Sequence, residues 1–234
     1  MKNEYRKDLP PIPERIRRLP VVRGYPVPWF VAKIKGEYDF RVADQRKFTQ
    51  AINQRLCWVY GQKLGTTLAF TIGPMCAVNR ITSEPPEHRE CAEFSATACP
   101  FLVQKEKGYR HDNLPDGMIQ PAGHHIERQP GAVCIWLTHK YKLVKAPGGT
   151  GFLFSLGDPV QVLWFSHGRG ATRAEILESV ESGLPILQDM AKQEGRAAEW
   201  DLDAKIKIAY KLFPPDVPTA KPLFGSAARR GTHA

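Results

Sequence analysis

Apolar and polar positions along the chain sort it into a β-rich first part and a helical last part. WFVAKI (29–34) and YDFRV (38–42) are β-rich runs separated by Lys35-Gly36-Glu37, a turn-sized gap, and predict a hairpin. Asp44 stands where a helix N-cap belongs, and Phe48, Ile52 and Leu56 recur at helical spacing, so a helix is predicted near 45–55. Strand-like runs return with AVCIWLTH (132–139), YKLVK (141–145), GFLFSL (151–156) and PVQVLWF (159–165). The links between them, APGGTG (146–151) and Gly157-Asp158 among them, are turn chemistry and predict an antiparallel meander.

The pattern then changes period. Thr172-Arg-Ala-Glu175 matches a capping box, and Ile176, Leu177 and Val180 form an apolar face before Gly183. Pro185 suits the first turn of a further helix to about 194, because its missing N–H costs nothing there. A third helix over roughly 197–212 would turn Trp200, Leu202, Ile206, Ile208, Ala209 and Leu212 partly inward. The fold class predicted is α+β: an antiparallel sheet from 29–42 and 132–165, a Cys/His module between, and C-terminal helices packed on one side.

The ends and one middle stretch lack such patterning. Residues 1–28 carry Pro10, Pro11, Pro13, Pro20, Pro26 and Pro28, which fix φ and remove donors, so they read as an extended arm. Arg15, Arg17, Arg18 and Arg23 line that arm; it is either a strap along the core or a basic arm reaching a phosphate backbone. Residues 29–213 are expected to form one α+β domain, and 214–234 a flexible tail. The Gly- and Pro-rich stretch 104–130 holds His124-His125 followed by Glu127, read as solvent-facing loop residues before a general base.

Composition narrows the function classes. No apolar run reaches the roughly 18 residues of a membrane span, and MKNEYRKDLPPIPERIRR has no apolar core of a secretory signal. A cytoplasmic address without membrane association is therefore expected. The formal net charge of +9 favours polyanionic partners such as nucleic acid or an acidic protein surface. No nucleophile elbow, Walker loop or dinucleotide fingerprint is present, and Cys134, in an apolar run, reads as a buried inert thiol.

The remaining four of the five cysteines, Cys57, Cys76, Cys91 and Cys99, crowd into residues 57–99. An odd number without export argues against a disulfide framework and leaves metal as the leading reason for the clustering. Pro85-Pro86 precede Glu87-His88-Arg89-Glu90-Cys91, a helix start with acidic residues in its first turn. His88 and Cys91, three apart, share one face of that helix. Upstream lie a short apolar segment with Cys57, a turn from Gly61 to Gly65, and a β-rich run Leu68 to Ile72, the pattern of a knuckle and hairpin.

This stretch resembles treble-clef zinc modules: Cys-x2-Cys-Gly, a hairpin, then Cys or His-x2-Cys on a helix. It is also similar to a group of uncharacterised bacterial and phage proteins with CWV-x-G, GPM and H-x-x-C arrangements, from which no activity carries over. The resemblance places Cys57 at the first knuckle ligand and His88 and Cys91 at the helix pair. Tyr60 stands where the second knuckle cysteine belongs, with Gly61 following as the pattern wants. Three outcomes stay open: Cys76 or Cys99 supplies the fourth ligand, a water completes the shell, or the metal is lost. Cys99 lies about two helical turns beyond Cys91, so Cys76 is the preferred replacement. Zinc is the implied cofactor. HNH endonucleases share the treble clef, but GPMCAVN lacks the histidine they need at the hairpin's end.

The function expected is a non-catalytic binding protein, with nucleic acid the preferred partner through Arg15, Arg17, Arg18 and Arg23 and the module. The alternatives are a zinc-dependent hydrolase or nuclease with an open metal position, and a phage or bacterial accessory protein that binds a protein partner.

Overall fold

A computed structural model describes residues 4–103, 122, 130–146 and 151–216. His124-His125, the centre of the 146–151 turn and most of the predicted tail lie outside the described residues. The chain runs through a 3-10 turn (Ile16–Arg18), β1 (Val21–Val22), β2 (Tyr25–Pro26), β3 (Val31–Ile34), β4 (Glu37–Ala43), α1 (Gln45–Gln54), β5 (Leu68–Ile72) and α2 (Pro74–Asn79). It continues through β6 (Ile81–Thr82), α3 (Arg89–Ala98), α4 (Pro100–Val103), β7 (Val133–Thr138), β8 (Tyr141–Lys145), β9 (Phe152–Leu156) and β10 (Pro159–Ser166). β11 (Arg169–Gly170), α5 (Arg173–Glu194) and α6 (Arg196–Lys211) complete it. Mixed α+β with antiparallel sheets and C-terminal helices is the class expected, and it is the class observed.

The sheets are divided differently from the prediction. β3 and β4 pair only with each other, and the strands of 132–165 do not form one meander. Instead β7 pairs with β10 and β5, giving the order β11-β10-β7-β5, while β8 and β9 leave to form a second sheet with β6. The reason lies in β7, whose six residues are all buried. A strand covered on both faces belongs in the middle of a sheet, not at a solvated edge.

Side-chain alternation along β7 builds two cores at once. Cys134 and Trp136, with Leu68, Phe70 and Ile72 of β5, enter a core shared with α2, α5, α6 and Phe154. Val133, Ile135 and Leu137, with Ala69, face Ala92 and Ala96 of α3. Small alanines let α3 lie close on the sheet, and that closeness holds the helix start beside the knuckle. Glu87 ties the same start to β5 through paired backbone hydrogen bonds with Ala69, 3.0 and 2.7 Å.

At the C-terminal end, α5 is one helix rather than two. Thr172 and Glu175 close the predicted capping box, but Pro185 lies inside the helix instead of at a new start. Ile176 and Val180 before it and Leu187 and Ala191 after it enter the same core, so one continuous apolar stripe overrides the local breaker. Trp200 is 73% exposed, against the inward placement expected; Leu202 and Ala209 carry the buried face of α6. Trp58, Trp136 and Trp164 are buried.

Residues 4–28 of the arm are not the continuous extended run expected: they hold a 3-10 turn and the short β1–β2 hairpin, and pack as a strap. Its 3-10 turn drives Ile16 to complete burial, and Arg23-Gly24 turn β1 back onto β2 with positive φ at both residues.

Candidate metal centre

Residues 57–62 form a tight loop. Leu56 and Lys63 bridge across its base, the Cys57 N–H donates to the Gln62 carbonyl at 2.7 Å, and the Gly61 N–H donates to the Cys57 carbonyl at 2.7 Å. Gly61 has φ +77°, and a Cβ there would stand 2.5 Å from the Trp29 indole. Only glycine meets both demands.

The loop presents the Cys57 sulfur to two backbone donors. Tyr60 N–H and His88 N–H each reach Sγ at 3.3 Å. Two amides aimed at one sulfur stabilise the thiolate, as a metal-bound cysteine requires. Helix α3 begins beside it, with His88 as N-cap and Cys91 in the first turn. One imidazole nitrogen and the sulfurs of Cys57 and Cys91 lie within 4.8 Å of one another. Cys57 and Cys91 are completely buried, and His88 is half-buried.

The imidazole identifies its own free atom. Nε2 donates to the Lys63 carbonyl at 2.9 Å, while Nδ1 is buried with no hydrogen-bond partner. A carbonyl accepts only, so Nε2 carries the hydrogen and Nδ1 keeps its lone pair. A metal-bound histidine is oriented in this way, its second nitrogen held by a backbone carbonyl. Two thiol sulfurs and one imidazole nitrogen are donors that suit zinc, and the buried, unpartnered Nδ1 fits such an ion.

Electrostatics point the same way. Burial pushes the Cys57 thiol up, but hydrogen bonds from Cys91, His88 and Tyr60 outweigh it and hold Cys57 well below the usual thiol range. Cys91 is pushed up by its hydrogen bond to Cys57, by burial and by the Cys57 charge. The pair therefore favours one proton shared between two sulfurs, and a divalent cation would displace it. The Cys57 sulfur also raises His88, which favours a second proton on Nδ1, and a divalent cation would have to displace that proton too.

A small core closes the group. Ile16 of the strap packs with Cys57, Val59, Cys91 and Phe94, and Ile12, Leu19 and Tyr60 border them. Arg15 fastens the strap to Glu90, one residue before Cys91, at 2.5 Å. Sequence reasoning missed Ile16 and Glu87. Burial pushes Glu87 well above the usual carboxylate range, the Cys57 sulfur adds to it, and its Oε2 has no hydrogen-bond partner. The signal in the sequence was the position of Glu87 between the two prolines and His88.

The other predicted ligands fall elsewhere. Cys76 sits in α2, not at the end of a hairpin, because β5 pairs with β7 and turns directly into that helix. Burial, with Glu84 nearby, pushes its thiol up to about 11. Cys99 caps the far end of α3, and burial raises it too. Among the described residues the group holds three donors, Cys57, His88 and Cys91, and Cys76 is not among them. The hairpin of a treble clef is also absent between knuckle and helix; the residues read as its strand belong to the central sheet. All five cysteines are free.

The arm's cations lie on the strap. Besides the Arg15–Glu90 pair, Arg17 donates to the Ile12 carbonyl at 3.1 Å and Arg18 approaches Glu14 at 3.9 Å. Arg23 occupies the β1–β2 turn at φ 54°. Among the described residues no helix is long and apolar enough to cross a membrane. No family model, curated protein or solved structure matches the chain.

Proposed function

We propose that this is a non-catalytic binding protein in which Cys57, His88 and Cys91 hold a structural zinc ion, with nucleic acid as the partner. The observation that carries the zinc is the His88 imidazole, tethered by Nε2 to Lys63 and leaving a buried Nδ1 unpartnered beside two sulfurs. Zinc there would join three segments distant in sequence: the 57–62 loop, the start of α3 and, through Ile16, the N-terminal strap. Such a centre contributes folding free energy outright.

The net charge of +9 supports a polyanionic partner. The treble-clef likeness is confined to the ligand positions, a knuckle cysteine and a histidine–cysteine pair at a helix start. Gel-shift titration of the zinc-loaded protein with DNA and RNA, at rising salt, tests the partner. Binding that weakens steeply with salt supports it, and no shift of any nucleic acid at low salt rejects it.

The count of three protein donors favours one second reading, an open zinc position that activates water for hydrolysis. Against it, both sulfurs are completely buried and Ile16 packs over them. Chelator-sensitive hydrolysis lost in His88→Ala would establish that reading.

A further inference from the structure

A second feature lies away from the metal centre, where the end of α1 meets the turn between β7 and β8. Arg55, Leu68, His139, Lys140, Tyr141 and Leu143 line an open depression of about 360 Å³. Its chemistry is two-sided: Arg55, Lys140 and His139 supply cationic or hydrogen-bonding groups, while Leu68, Tyr141 and Leu143 supply apolar wall.

The geometry of each part is fixed. Arg55 ends α1 in the left-handed conformation, φ 52°, and its carbonyl accepts from Leu64 N–H at 2.9 Å. The Tyr141 ring is wedged between Phe70 and Phe154, at centroid distances of 5.8 and 5.2 Å. Lys140 is held in its turn because the Gly157 N–H and the Thr138 hydroxyl both donate to its carbonyl, at 3.0 and 3.2 Å. His139 Nδ1 donates to the Thr66 carbonyl at 3.3 Å.

The same surface continues along β8. Side chains alternate, so Tyr141, Leu143 and Lys145 share one face of the strand. Lys145 pairs with Phe152 of β9, and Leu143 and Phe152 are 41% and 45% exposed. Among the described residues, Arg55, Lys140 and Lys145 form no ion pair. Cations without carboxylate partners beside exposed aromatic and aliphatic groups match a chain of phosphates and unstacked bases. A duplex, whose base faces are stacked inside, offers nothing to the apolar wall.

We propose that this depression and the β8 face beyond it bind single-stranded nucleic acid, with Arg55, Lys140 and Lys145 at phosphates and Tyr141 against a base. The proposal rests on the nucleic-acid reading above and moves the binding surface from the arm to β8.

The test is fluorescence anisotropy of the full zinc-loaded chain with labelled oligothymidylate and with a duplex of equal length. The variants are Arg55→Gln/Lys140→Gln, Lys140→Gln alone, Tyr141→Leu, and Arg17→Gln/Arg18→Gln in the arm. The double variant at the depression should weaken oligothymidylate binding about tenfold or more and lower the salt slope by about 1.4, at about 0.7 for each phosphate no longer neutralised. Tyr141→Leu should weaken it about fivefold or more. The arm variant should change it less than about twofold, and the duplex should bind more weakly. Lys140→Gln, at an exposed turn, keeps the test open should the double variant misfold. Wild-type binding that survives both depression variants, or that prefers duplex, overturns this proposal while leaving the broader one standing. No wild-type binding to any strand at low salt overturns both.

Discussion

His88 Nε2 donates to the carbonyl of Lys63 at 2.9 Å, and this bond decides which imidazole nitrogen is left to face Cys57 and Cys91. The acceptor is backbone, supplied by the residue that bridges to Leu56 at the base of the knuckle. The loop that presents Cys57 therefore also orients His88. Loss of the loop's shape should disturb two donors at once.

Gly61→Ala tests that dependence. A methyl group at φ +77° would meet the Trp29 ring at 2.5 Å, so the loop must open. The expected cost is about 2–5 kcal/mol, from positive φ and overpacking together. Chemical denaturation with zinc present should show it, along with weaker zinc retention against a competing chelator. A variant as stable as the wild type would mean that the loop is slack.

Ile16→Ala tests the strap. Removing a completely buried side chain over the sulfur pair should cost about 2–5 kcal/mol. It should also speed proteolytic cleavage at Arg15, Arg17 and Arg18, whose backbone the 3-10 turn now protects. Unchanged cleavage kinetics would show that the strap is held by contacts other than Ile16.

Glu175 gives the fold an acid-sensitive joint. Its hydrogen bonds with Arg169 outweigh burial, and those with Thr172 add to them, bringing it to about 2 from an ordinary 4.5. A carboxylate depressed on folding adds stability that is complete above its ordinary value and is lost as pH falls through the folded one. Thermal stability should therefore decline between about pH 5 and pH 2, and Glu175→Gln should flatten that decline while lowering stability at neutral pH. An identical acid limb in the variant would assign the loss to other groups.

Tryptophan substitutions should separate two surfaces. Trp136, 1% exposed between the β5 and β10 partners of β7, should cost about 3–5 kcal/mol as alanine. Trp200, 73% exposed, should change stability by less than about 0.5 kcal/mol. Equal effects would contradict the placement of α6.

The candidate trio was legible because each member announces itself locally. Cys57 precedes a glycine turn, and His88 and Cys91 share one face of a helix that two prolines introduce. What escaped was non-local. Whether Leu68–Ile72 folds back as a hairpin or joins a distant strand depends on β7, far along the chain, and the sequence left the reach of Cys76 unconstrained. Pro185 shows the same limit in a helix: its local meaning is a start, yet the apolar stripe from Ile176 to Ala191 carries the helix through it. The β8 face was read only as a strand, since the neighbour that makes it a depression, Arg55, comes from the end of α1.

X-ray absorption at the zinc edge, on protein purified without chelator, tests the centre most directly. The expected result is one zinc per chain with two sulfur neighbours at about 2.3 Å and nitrogen at about 2.0 Å, and a diminished sulfur shell in Cys57→Ser. A folded, stable protein with no zinc, or a zinc shell without sulfur, would contradict it.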